Sequence, residues 1–235
     1  MSLKYNGNYT KTDTFNAAKR YKLKFQKNVR LADIELSELN QISDSFIRQL
    51  VSANFPSGST VNNGFKIVES ATSTNNNFTI KGGDGTVNGA GVLFVDGYIL
   101  FLKSDIEYTG QDASGNLTDD NYTTTDIPAL TTPSGNRTDE VYVDFYFAEV
   151  AGGTGSEYQD PELIISGIGT ETANRLRMVQ DIRVAEGVST PNSGNDSNGI
   201  YHWYVKIATI NRLGGNASIT NAMIDCEGLY KVWDR

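Results

Sequence analysis

One histidine, one cysteine and a run of glycines are the residues here whose types could carry chemistry. His202 is the sole candidate base for a nucleophilic triad. It lies between Tyr201 and Trp203 in an alternating aromatic stretch, which reads as a packing or interface position. Nothing in the spacing supports a dyad with Cys226. One Cys and one His argue against a tetrahedral zinc site. The lone cysteine cannot form an intrachain disulfide, which fits a reducing compartment.

The stretch KGGDGTVNGAGVLFVDGYILF, residues 81–101, invites a nucleotide reading. A Walker loop needs a Lys-Ser or Lys-Thr after its last glycine, and none follows. A dinucleotide fingerprint beginning at Gly83 and Gly85 needs a third glycine where Asn88 stands. What comes next is a strand, an Asp96-Gly97 turn and another strand, so the glycines serve loops. GNDSNG, residues 194–199, has part of a calcium-loop spacing at Asp196 and Asn198. Gly194 occupies the first ligand position and Val205 that of the bidentate glutamate, so a turn is the better reading. Asp119-Asp120 and Asp139-Glu140 read as loop charges. Tyr142, Phe145, Tyr146, Phe147, Tyr201, Trp203 and Tyr204 suit a sugar-stacking platform, or a core or intersubunit seam. No cofactor and no metal is expected, and the chain does not read as an enzyme.

The elements that would position these residues fall into two parts. Residues 1–30 carry eight basic side chains against Asp13, while the remainder holds 12 basic and 27 acidic residues. A basic arm on an acidic body can grip an acidic protein surface, and the body would repel nucleic acid. Within the arm, RYKLKFQK alternates Tyr21, Leu23 and Phe25 with Lys22, Lys24 and Gln26, the mark of a half-buried strand. Residues 29–51 predict a helix with Leu31, Leu39, Ile42, Phe46 and Leu50 in one broad stripe and Leu36 and Ile47 at its edge. Asn28 suits its cap and NFPSG, 54–58, its stop. Glu38 falls where a heptad seam would want an apolar residue, so a helix in a short bundle or laid on a sheet is expected.

Beyond residue 59, eight short strands are predicted: 64–70, 77–81, 91–95, 98–103, 140–150, 175–186, 200–212 and 228–233. Turns are expected at Asn63-Gly64, Asp96-Gly97, Gly152-Gly153 and Gly214-Gly215, and a long loop or ragged edge strands over 105–138. The fold class is mainly β: an antiparallel β-sandwich or barrel-like body, 59–235, preceded by an extended basic arm and one amphipathic helix, 1–58. No apolar run approaches a membrane span, so no membrane insertion is expected. The N-terminus lacks the apolar stretch of a signal peptide, which implies folding in a cytosol.

From ELNQI, 38–42, onward a series of phrases follows in order: NNGFKIVES, NNNFTIKGG, GVLFVDGYIL, NRTDEVYVDFYFAEV, QDPELIISGIGTETANRLRMVQDIRVAEG and YHWYVKIATINR. Together, across roughly residues 30–212, they resemble the β-structured baseplate or tail-fibre-linking proteins of contractile-tailed bacteriophages and related injection systems. The resemblance implies a structural virion protein, assembled in the host cytoplasm as a homotrimer beside other tail, baseplate or fibre proteins. Arm 1–30 is not part of that pattern. The expected partner interface comprises Tyr21, Leu23, Phe25, Leu31, Leu39, Ile42, Phe46 and Leu50. A carbohydrate- or receptor-binding β-sandwich module, an adhesin, is the alternative; it predicts glycan binding lost on Trp203→Ala. A glycan-cleaving enzyme is a third reading, with no motif behind it.

Overall fold

The computed structural model describes residues 33–86, 88–111, 127, 129–151, 158–159, 164–165, 170–171 and 175–233. The strand expected over 21–26, Leu31 and the Gly152-Gly153 turn lie outside them. The helix is α1, Asp33–Asn54, ending three residues beyond the expected 51; the expected start and its Asn28 cap lie outside the described residues. Its 22 residues span about 33 Å.

The rest is mainly β, as expected. The strands are β1 Ser59–Val61, β2 Ile67–Glu69, β3 Phe78–Ile80, β4 Gly91–Val95, β5 Tyr98–Leu102, β6 Ile106–Glu107, β7 Arg137–Ala151 and β8 Tyr158–Gln159. They continue with β9 Ile164–Ile165, β10 Thr170–Glu171, β11 Arg175–Glu186, β12 Gly194–Asn195, β13 Tyr201–Arg212, β14 Ile224–Asp225 and β15 Tyr230–Trp233. All eight predicted strands exist, but three of them are long. β7, β11 and β13 run 15, 12 and 12 residues and form the centre of a six-stranded sheet in the order β11-β7-β13-β12, with β8 and β14 at its margins. A four-stranded sheet, β15-β1-β4-β5, and a three-stranded sheet, β2-β3-β6, accompany it. Pairing is antiparallel except for β1 with β15 and β7 with β8.

Alternation along the long strands sends two sets of side chains to opposite faces. Val141, Val143 and Phe145 of β7, Ile182 of β11 and Trp203 and Ile210 of β13 enter the main core. There they meet Phe65, Ile67, Phe78, Ile80, Leu93 and Leu100 from the smaller sheets and their loops. A second small cluster joins Val51 of α1 to Val61 and Phe94.

The β4–β5 hairpin turns at Asp96 (φ 46°) and Gly97 (φ 82°), a two-residue loop with both central residues left-handed, as predicted. The turn expected at Asn63-Gly64 sits one residue earlier. Asn62 and Asn63 are left-handed, and the Gly64 amide donates to the Val61 carbonyl at 3.1 Å. Gly64 serves another purpose: a Cβ there would lie 2.4 Å from the Val92 backbone nitrogen. Within the expected loop 105–138, the described residues form β6, a turn of 3-10 helix over Tyr108–Gly110 and the start of β7.

Candidate assembly surface

α1 is held on the body by polar contacts near its C-terminal end. Arg48 donates to the Asp96 carboxylate at 3.0 Å and to the Asp96 carbonyl at 3.2 Å. The same carboxylate oxygen accepts the Trp203 indole N–H at 3.0 Å, and the Asp96 amide donates to Ser57 Oγ at 2.8 Å. The Arg48 guanidinium lies 4.1 Å from the centre of the Tyr98 ring, a cation–π contact. Tyr98 in turn packs edge-on against Phe145 and Trp203. One carboxylate thus ties helix, hairpin and long sheet together. Gly97 completes the fit: a Cβ on it would sit 2.6 Å from the Arg48 carbonyl oxygen.

This attachment uses the helix face bearing Arg48, Val51 and Ser52. The predicted stripe points the other way. Leu39, Phe46 and Leu50 are 36%, 54% and 56% exposed, and Ile47 at the stripe's edge is 53% exposed, while Ile42 is half-buried. Of the two expected settings, a short bundle or a sheet, the sheet would have taken the apolar stripe. The body instead takes the opposite face, because the Asp96-Gly97 turn offers a carboxylate and an open carbonyl approach. Tyr21, Leu23, Phe25 and Leu31, the remaining expected interface residues, lie outside the described residues. Sequence reasoning missed Arg48, Asp96 and Tyr98. The Asp-Gly turn was a visible signal, but its partner 48 residues away was not.

The face of the long sheet opposite the core is polar and aromatic. His202 stacks on Tyr146 at 4.4 Å, and its Nδ1 lies 2.6 Å from Asp144 Oδ1. Arg183 bridges Asp144 at 3.2 Å and Asp181 at 2.8 Å. Burial opposes the charge on Arg183, but Asp181 and Asp144 outweigh it and hold its proton more firmly than usual. Burial also raises the Tyr142 and Tyr204 hydroxyls above their ordinary value. His202 is therefore a packed, oriented residue. Cys226 packs against the core on the other side, its thiol directed to the Ile67 carbonyl at 3.5 Å and raised in pKa by burial. The two do not form a dyad.

The aromatic platform does not assemble. Phe145, Phe147, Tyr201 and Trp203 belong to the core side, whereas Tyr142, Tyr146 and Tyr204 belong to the other face. Trp203→Ala would hollow the core rather than strip a glycan contact. Asp139 and Glu140 are not loop charges; both lie on β7. Asp139 is buried between Arg137 at 2.7 Å and Arg212 at 3.9 Å, and accepts the Gly187 amide. Glu140 takes the Thr190 amide and the Lys206 ammonium, which hold its carboxyl below the usual range. Asp119-Asp120 lie outside the described residues. Asp196 accepts the amides of Asn198 and Ile200 as a turn residue, and no metal-ligand cluster occurs among the described residues. A shallow groove of about 210 Å³ lies between Arg137 and Arg212, with Thr138, Asn211 and Leu213 also lining it and both guanidiniums facing Asp139. None of the described helices is long and apolar enough to cross a membrane.

No family model matches this chain, and comparison with curated proteins and with solved structures likewise gives no match.

Proposed function

We propose that this chain is a structural component of a contractile phage tail or related injection system, a baseplate or fibre connector acting by protein–protein assembly. The observation that carries the reading is α1, pinned to the body by Arg48 and Asp96 with its apolar row facing away. A connector needs a stable body and a firmly aimed adhesive element, and α1 on the β-body has that form. Burying such a row against neighbouring copies gains about 25 cal/mol per Å² of apolar surface, offset in part by the cost of association. Homotrimeric assembly within a virion is the form expected from the phrases quoted above.

Light scattering on the full chain tests this. The wild type is expected to give the mass of an oligomer, and the pair Ile47→Glu and Leu50→Glu the mass of one chain with unchanged circular dichroism. A single-chain mass for the wild type at every concentration reached would overturn the assembly reading.

A further inference from the structure

His202 is the single histidine of the chain, and its two ring nitrogens face two different carboxylates. Nδ1 lies 2.6 Å from Asp144 Oδ1. Nε2 lies 4.0 Å from Asp196 Oδ2, beyond hydrogen-bond reach, and has no other polar partner among the described residues. Tyr146 stacks on the ring at 4.4 Å and Tyr204 at 5.8 Å, so its plane is set. The side chain is 13% exposed, which leaves protons a path to it from water.

Asp144 decides which nitrogen carries the first proton. A carboxylate is acceptor-only when ionised, so Nδ1 must be the donor. The second Asp144 oxygen lies 3.2 Å from the Arg183 guanidinium, which fixes the carboxylate in place. The neutral ring therefore has its hydrogen on Nδ1 and a bare lone pair on Nε2. That lone pair looks toward the Asp196 carboxylate, acceptor against acceptor, and no bond can form. A second proton goes to Nε2 and reverses this. The ring then has a donor on each side and a positive charge between two acids.

Asp196 governs the turn between β12 and β13. Its Oδ1 accepts the Asn198 and Ile200 amides at 2.9 and 2.8 Å, and its carbonyl accepts the Gly199 amide at 3.1 Å. Oδ2 has only a long contact from the Asn198 side-chain amide, at 3.4 Å. A pull on Oδ2 thus acts on the whole turn. The strand before it is short: β12 pairs with β13 only through Gly194 with His202 and Asn195 with Tyr201.

We propose that His202 is an acid-closed latch. Protonation at Nε2 lets the ring bond Asp196 and fastens the turn 195–200 to the outer face of the long sheet; loss of that proton releases the turn. The groups facing the ring are Asp144 and Tyr146 of β7, Tyr204 of β13 and Asp196 of the turn, with Arg183 and Asp181 of β11 behind Asp144. Among these side-chain types only the imidazole ordinarily changes charge between about pH 5 and 8. The latch lies on the sheet face opposite Trp203 and its bond to Asp96, and so is separate from the attachment of α1.

Ring NMR and amide exchange on the full chain test this. One histidine gives one set of ring signals. At about pH 8 they are expected to report the Nδ1–H tautomer, and the Nε2–H tautomer would overturn the proposal. Between about pH 8 and about pH 5.5 the Asn198 and Ile200 amides are expected to gain about threefold in protection, after correction for the intrinsic pH dependence of exchange. The Gly64 amide, in the Asn62-Asn63 turn, serves as the reference and is expected to keep its protection. His202→Gln is expected to abolish the gain. Asp196→Asn retains an oxygen for the two turn amides but loses the charge, and is expected to lose most of the gain; it decides the matter alone if His202→Gln fails to fold. Equal protection at both pH values in the wild type would overturn the latch. So would a gain that survives in His202→Gln or stands undiminished in Asp196→Asn.

Discussion

Asp139 shows how much of this fold rests on single buried charges. It is fully buried, and both its oxygens face guanidiniums, one of them on the buried Arg212. Burial already pushes the Arg212 guanidinium toward losing its proton, and Asp139 is the largest influence opposing that. Arg212 also donates to the Thr131 and Ala217 carbonyls and to Asn76, so it cannot swing out to water without breaking them. Asp139→Ala leaves two cations with the neighbouring Glu186 as the remaining carboxylate. The expected loss is about 3–5 kcal/mol, read from the urea midpoint, with Asp139→Asn losing less because its amide oxygen still accepts from Gly187. A loss under about 1 kcal/mol for the alanine variant would mean Asp139 is not the neutralising group. None of this was readable in the sequence, where Asp139-Glu140 followed a run of turn residues and looked like surface charge. Alternation gives Asp139 the inward parity of Val141, but only the register of β7 against β13 shows that Arg212 meets it there.

At the scale of elements, the attachment of α1 depends on how closely the β4–β5 turn approaches it. Gly97 has φ 82° and no room for a methyl beneath the Arg48 carbonyl. Gly97→Ala therefore strains the turn and lifts the helix. The expected cost is about 1–3 kcal/mol, with faster amide exchange in the last two turns of α1 and unchanged exchange in β7 and β13. Exchange accelerated equally in the long sheet would show that the helix is not a separate unit. The helix and its apolar stripe were legible because the 3.6-residue period survives in any context. The direction of the stripe was not, because a period tells which residues share a face and says nothing of what lies opposite. The long strands were legible from alternation, and their turns from Asp-Gly and Asn-rich dipeptides. The splitting of the aromatic set between two faces follows from the same alternation and could have been read from it: Tyr142, Asp144 and Tyr146 are even-numbered, while Val141, Val143 and Phe145 are odd.

For the whole molecule, the pairing that local sequence could not reveal is that of β1 with β15. Ser59, Thr60 and Val61 face Tyr230, Lys231 and Trp233 in parallel, and the Tyr230 amide donates to the Gly58 carbonyl at 2.9 Å. The residues are more than 160 positions apart, and their strands are three and four residues long. The chain enters β1 directly from α1, so this pair also has a mechanical meaning. Tension applied through α1 pulls β1 from its first residue, while tension applied beyond Trp233 pulls β15 from its last. In parallel strands those pulls run in opposite senses along the same axis. They load the backbone bonds of the pair together, in shear. Handles at residues 90 and 103 would instead peel β4 from β5 one residue pair at a time, since Gly91 and Leu102 are the open ends of that hairpin. In an optical trap the β1–β15 geometry is expected to yield at the higher force, and equal forces would refute the shear argument. A body clamped in this way passes a pull from its helix to its far end without being the first thing to give.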